Sequence, residues 1–160
     1  MRDEQEACRA IERYADTVKR LCIIHLKSGP DTEDIFQNVF LKYVLSSAVF
    51  ESEEHEKAWV IRVTINECKD LLKSFFRSRT VPLEEAPDLP AQDPAGGREV
   101  LGAVLSLPQR YRDVIYLHYY EGYSAVEIGK LLSKNVNSIY TLLHRARTLL
   151  RKNLGGDEFE

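Results

Sequence analysis

The sequence predicts an all-α protein: two small helical domains joined by a Pro-rich flexible linker, the second carrying a helix-turn-helix. Three observations lead there. Apolar residues recur at helical spacing through most of residues 2–77. Residues 80–97 then hold four prolines, two glycines, four acids and no cation, a composition that builds neither a helix nor a core strand. Beyond it, residues 123–152 contain two short apolar stripes separated by a polar turn. The expected organisation is an N-terminal domain over 1–79, a linker over 80–97 and a C-terminal domain over 98–154, each unit marginal but viable in size.

In the first domain, residues 2–27 form a helix with Ile11, Tyr14, Ala15, Val18, Leu21 and Cys22 on one side. Ser28-Gly29-Pro30 stops it. Asp31 caps the next helix, and Asp34 in its first turn suits the helix dipole. Ile35, Phe36, Val39, Phe40, Tyr43 and Val44 make its core face. Its other face is a row of Asp34, Gln37, Asn38 and Leu41, three hydrogen-bonding side chains beside an apolar one. Such a row suits a partner surface, and equally a solvated face with one stray leucine.

A third helix, from about Glu56 to Arg77, has two stripes. Ile61, Ile65, Cys68, Leu72 and Phe75 form the buried one. Arg62, Asn66, Lys69, Lys73 and Arg77 form a polar one, four-fifths cationic, with Trp59 at its head and Phe50 and Tyr43 nearby in sequence. A cationic row beside exposed aromatics is how proteins hold single-stranded nucleic acid. A core tryptophan with solvated cations satisfies the same pattern.

In the second domain, Ser124 and Glu127 form a capping box. Ile128 and Leu132 share one face of the helix they start, and Asn135 caps the next. There Ile139, Leu143, Ala146 and Leu150 form a single stripe. No acid lies between Ile128 and Gly156, whereas Lys134, Arg145, Arg147, Arg151 and Lys152 do. A helix-turn-helix with a basic second helix reads DNA. An ordinary helical hairpin with a solvated basic face has the same outline.

The apolar content of 44% and charged content of 29% are those of a soluble globular protein, and no membrane insertion is expected. The opening residues are no signal peptide. Cys8, Cys22 and Cys68 show no paired or metal-like spacing, so free thiols and a cytoplasmic location are expected. The net charge of −3 is unevenly spread: −4 over residues 1–60, +3 over 61–79, −4 over 80–97 and +2 over 98–160. Backbone contact to nucleic acid depends on such local fields, not on the total. His25, His55, His118 and His144 show no metal spacing, and only His144 is a candidate groove contact. No nucleophile–base pair or phosphate loop stands out, so neither a cofactor nor a catalytic residue is expected.

Together these segments resemble the extracytoplasmic-function group of bacterial sigma factors, over nearly the whole chain. Asp31-Thr-Glu-Asp-Ile-Phe-Gln-Asn-Val-Phe-Leu-Lys is similar to the family's polymerase-binding motif. Trp59-Val-Ile-Arg-Val-Thr-Ile-Asn66 with Asp70 resembles its Trp…Asn…Asp signature, and Ser138-Ile-Tyr-Thr-Leu-Leu-His-Arg-Ala-Arg147 resembles the run in its recognition helix. The resemblance implies that Asp34, Gln37, Asn38 and Leu41 dock on core RNA polymerase. It implies that Asn66 reads a flipped base of the −10 promoter element, that Arg62, Lys69 and Lys73 hold the strand beside Trp59, and that the segment from Phe50 to Glu56 builds the base pocket. It places Asn137, Ser138, Tyr140, Thr141 and His144 against base edges of the −35 element, with Arg145 on the backbone. The chain departs from the pattern at Asn38, usually Glu; at Gly129, usually Ala; and at Tyr140 and Leu142, where cations are common. Gly129 implies a softer helix, and the missing cations a weaker salt dependence.

The implied function is a promoter-specificity subunit that binds core polymerase and promoter DNA. The exposed helices are compatible with masking by an anti-sigma factor, although no residue identifies one. A stand-alone helix-turn-helix regulator is the alternative, and a helical adaptor without DNA binding is a third class. An enzyme fits least.

Overall fold

The computed structural model describes residues 1–26, 31–78 and 101–154, without the side chains of 75–78 and 154. The stop at Ser28-Gly29-Pro30, the linker over 80–97, and the side chains of Phe75 and Arg77 lie outside the described residues. The chain divides into two compact units, Met1–Pro87 and Asp88–Glu160. The described residues hold helices and no strand.

Three helices build the first unit: α1 (Glu4–Leu26), α2 (Thr32–Leu45) and α3 (Glu53–Ser78). Helix α1 starts later than its periodicity suggests, because Asp3 and Glu6 form a capping box. The Glu6 amide donates to Asp3 Oδ1 at 2.8 Å, and the Asp3 amide to Glu6 Oε1 at 3.3 Å. Arg2 therefore lies outside the helix. Ile11, expected on the core face, is instead 37% exposed, while Tyr14, Val18, Leu21 and Cys22 are buried. Asp31 stands at the start of α2 but makes no side-chain cap; its carbonyl accepts from the Ile35 amide at 3.2 Å. Helix α3 begins three residues before Glu56, because the Ser52 hydroxyl accepts from the His55 amide at 3.1 Å. Its buried side includes Val60, Ile61, Thr64, Ile65 and Cys68.

That earlier start places Glu56 inside the bundle. Its carboxylate accepts from the Tyr14 hydroxyl of α1 at 2.9 Å and from the Tyr43 hydroxyl of α2 at 2.7 Å. Arg13 of α1 lies 3.4 Å from the same group. One side chain of α3 thus satisfies buried hydroxyls on both neighbouring helices. Burial, reinforced by the hydrogen bond to Glu56, pushes the Tyr43 hydroxyl from the ordinary 10.0 up to about 12 and raises Tyr14 for the same reasons.

In the second unit, residues 101–105 are helical and α4 spans Gln109–Ile115. Tyr116–Tyr120 continues α4 as a wider π-type turn, where the Glu121 amide reaches back to the Tyr116 carbonyl at 3.1 Å. Gly122, at φ 83°, turns the chain, and α5 (Ala125–Leu132) and α6 (Val136–Leu154) follow. The expected capping box is present: the Ser124 amide donates to Glu127 Oε1 at 2.8 Å, and the Glu127 amide to Ser124 Oγ at 3.2 Å. Asn135 Oδ1 accepts from the Ser138 amide at 2.8 Å and caps α6. Ile128, Ile139, Ala146 and Leu150 are fully buried and Leu143 nearly so.

The turn between α5 and α6 is tight. The Gly129 carbonyl accepts from the Lys134 amide at 2.9 Å, and Ser133 takes the left-handed conformation at φ 59°. A Cβ on residue 129 would lie 2.6 Å from the Lys134 carbonyl oxygen. The structure thus gives Gly129 a steric role in place of mere softness: no side chain fits between the helix and its own turn.

Three outcomes follow. Glu56→Ala should destabilise the first unit by about 2–3 kcal/mol in denaturant unfolding, since it strands two buried hydroxyls. The raised tyrosine pKa values favour the protonated side chains in the folded state. Their contribution is complete below pH 10.0, the unperturbed value, and is lost as pH rises through about 12; an alkaline titration of tyrosine absorbance should show Tyr14 and Tyr43 ionising only as the unit unfolds. Gly129→Ala should cost about 1–3 kcal/mol despite alanine's better helix propensity, whereas Ser133→Gly should add about 1 kcal/mol by relieving left-handed strain, both read by thermal unfolding.

Candidate nucleic-acid interface

Polar side chains left over by this packing form three exposed surfaces. On α2, Asp34, Gln37 and Asn38 are exposed and Leu41 is 55% exposed. Leu45, one turn further, is 60% exposed and extends the apolar part of the row; sequence reading missed it, although its spacing from Leu41 is helical. Asn38 is partly engaged: its Nδ2 donates to Glu67 of α3 at 3.3 Å, and Lys42 pairs with the same carboxylate. Asn38 therefore helps to lock α2 against α3 as well as lining the row.

On α3, Arg62, Asn66 and Lys73 are exposed and Lys69 is half-buried. Trp59 is also half-buried, which combines the two readings its position allowed. It packs against the core with Phe50, in a cluster of rings. Phe50 lies 5.8 Å from Trp59 and 5.4 Å from His55, both edge-on, and stacks with Tyr43 at 6.3 Å. Tyr43 meets Trp59 edge-on at 6.0 Å. Phe50 belongs to the non-helical segment between α2 and α3. That segment is held locally by Ser46 Oγ, which accepts from the Ala48 amide at 3.0 Å, and by His55 Nδ1, which accepts from the Glu51 amide at 3.1 Å. An aromatic platform thus borders a cationic row with one amide in it. Rings can stack bases, cations can neutralise phosphates, and an amide can pair with a base edge.

On α6, Asn137, Ser138, Tyr140, Thr141, His144 and Arg145 are all exposed, Tyr140 at 57%. The Thr141 hydroxyl donates to the Asn137 carbonyl at 3.1 Å, which leaves its oxygen as an acceptor. Two cations are braced by tyrosines. Arg147 donates to the Tyr119 hydroxyl at 3.0 Å. The Tyr111 hydroxyl is held below its ordinary pKa by its hydrogen bond from Arg110, with Arg145 adding to the effect. Of the histidines, His118 is structural, its Nδ1 bonded to the Tyr123 carbonyl at 2.8 Å; His25 is buried; His144 faces outward. Among the described residues no helix is long and apolar enough to cross a membrane, and no cluster of side chains could hold a metal ion.

Comparison with known proteins is consistent along both units. A model of Sigma-70 region 2 matches residues 10–79 and one of Sigma-70, region 4 matches residues 97–150. The chain is 26% identical to the ECF RNA polymerase sigma factor SigW of Bacillus subtilis, over 95% of this chain and 90% of that protein. It is 30% identical to the ECF RNA polymerase sigma factor SigE of Mycolicibacterium smegmatis, over 90% of this chain and 60% of that one. The sigma factor RpoE from Bartonella quintana, solved in complex with the anti-sigma factor NepR, shares the fold with a TM-score of 0.80 at 20% identity, covering 96% of this chain and 99% of that one. With a region 2 domain, a region 4 domain and relatives of this kind spanning nearly its whole length, the chain belongs to the extracytoplasmic-function group of sigma-70 RNA polymerase sigma factors.

Proposed function

We propose that the three exposed surfaces divide the work of a sigma factor in transcription initiation. Asp34, Gln37 and Leu41, with Asn38 beside them, dock on core RNA polymerase. Asn66 reads a base of the −10 strand, with Trp59 as part of the stacking platform and Arg62, Lys69 and Lys73 on phosphates. Asn137, Ser138, Tyr140, Thr141 and His144 face base edges of the −35 duplex, and Arg145 grips its backbone. The observation that carries this reading is the juxtaposition on α3, where an exposed row of Arg62, Asn66 and Lys73 runs on from the ring cluster of Trp59, Phe50 and Tyr43. A duplex-only regulator has no use for such a platform. The protein is a binding module and not an enzyme: the polymerase supplies the chemistry. It works in the cytoplasm, where polymerase and promoters are. Its exposed α2 and α3 surfaces are the ones an anti-sigma factor would cover.

Run-off transcription with core enzyme over a broad promoter library tests the whole reading; absence of any promoter-dependent transcript defeats it. Gln37→Ala should weaken polymerase binding and leave −35 duplex affinity unchanged. Asn66→Ala should reduce promoter opening while sparing polymerase binding. Tyr140→Lys, which restores a missing cation, should tighten duplex binding and steepen the logarithmic salt dependence by about one unit. A Gln37→Ala variant with full activity alongside an inactive Arg145→Ala variant would favour the stand-alone regulator.

A further inference from the structure

We infer that Arg2 is a positioning residue for base reading: it clamps the segment that carries Phe50 onto the end of α2. The inference deepens the strand-reading role proposed above and rests on it.

The capping box of Asp3 and Glu6 starts α1 one residue after Asp3 and leaves Arg2 free to run toward α2. There it makes three hydrogen bonds to carbonyls. Its amide donates to Val44 at 3.0 Å, its Nε to Tyr43 at 3.0 Å and its Nη2 to Ala48 at 2.5 Å. Tyr43 and Val44 lie in the last turn of α2, whose carbonyls have no intrahelical partner and whose dipole favours a cation. Ala48 lies beyond the helix, in the segment leading to Phe50. The guanidinium also lies 4.6 Å from the Tyr43 ring centroid and 5.1 Å from that of Phe50. Glu6 faces it at 4.0 Å, and its side chain is only 14% exposed.

One planar group thus touches the helix end, the backbone of the segment and two rings of the platform at once. Only a fork-shaped donor does this; an ammonium cannot bond both carbonyls while covering both rings. The segment has few other ties, so Arg2 sets where Phe50 sits relative to Trp59 and, through it, relative to the base that Asn66 meets. Arg2 also borders a cleft of about 350 Å³ shared with Arg9, Arg13, Glu53 and Glu56, and Arg9 supplies a control cation in the same wall.

The test compares Arg2→Gln, Arg2→Lys and Arg9→Ala in the full chain. Open-complex formation by the assembled holoenzyme is measured on a functional promoter and on its single-base −10 variants. Acrylamide quenching of the only tryptophan, Trp59, is measured on the free chain. Both Arg2 variants should lose −10 discrimination by about fivefold or more, with increased quenching and unchanged −35 duplex affinity, and Arg9→Ala should match the wild type. Unchanged discrimination or unchanged quenching in Arg2→Gln overturns the clamp. So does full rescue by Arg2→Lys, or loss of discrimination that only parallels loss of polymerase binding and thermal stability. A wild-type chain that opens no promoter defeats the underlying sigma-factor reading and this proposal with it; a discriminating wild type with an equally discriminating Arg2→Gln defeats this proposal alone.

Discussion

The carboxylate of Glu56, shared between Tyr14 and Tyr43, is the contact on which the geometry of the first unit depends. Apolar packing between three helices is tolerant of sliding and rotation, because dispersion and the hydrophobic effect have little direction. Hydrogen bonds between buried groups do have direction, and leaving them unmade is costly. One acceptor that serves a donor from each neighbouring helix therefore selects a single register for all three. Helix α3 then carries that register outward: Asn66 is ten residues beyond Glu56, about 15 Å along a stiff helix. The exposed row of α3 is placed by a contact well away from it.

The second unit reaches the same end by other means. Its helix pair is held by a turn in which the backbone of Lys134 sits against Gly129, closer than any side chain would allow. The constraint is steric and lies in the main chain, where the first unit uses polar side chains. In both cases a rigid support is built from residues that touch no ligand, and the residues left to solvent are the ones suited to contact it.

Periodicity made most of the fold legible. The stripes of Ile61, Ile65 and Cys68 on α3, and of Ile139, Leu143, Ala146 and Leu150 on α6, are buried as their spacing requires, and the box of Ser124 and Glu127 is a local signal that nothing overrides. The outward rows were legible for the same reason, being the complement of those stripes. What escaped was set by contacts between distant residues. Glu56 is an ordinary acid in sequence, and its two tyrosine partners lie 42 and 13 residues away. The pairing of Asn38 with Glu67 spans 29 residues and gives a departure from the family pattern a local use. Two nearer signals were readable and went unread: the Asp3 and Glu6 box, and Ser52 ahead of α3. Overlooking them shifted both helix starts, and with them the places of Arg2 and Glu56. For Gly129, propensity pointed one way and the turn's sterics, visible only in three dimensions, the other.

The π-type turn over Tyr116–Tyr120 fits one more residue into a helical span than an α-helix would. Such a turn stores a phase offset. Removing one residue there would let the span close up as regular α-helix, but everything after it would be rotated by about 100° about the helix axis. Leu117 would leave the core, and the bond between Tyr119 and Arg147 would lose its alignment. The segment is thus a place where chain length matters more than chemistry: side chains at Tyr119 and Tyr120 face solvent and tolerate exchange, while a single-residue deletion would misdirect the whole helix pair that follows.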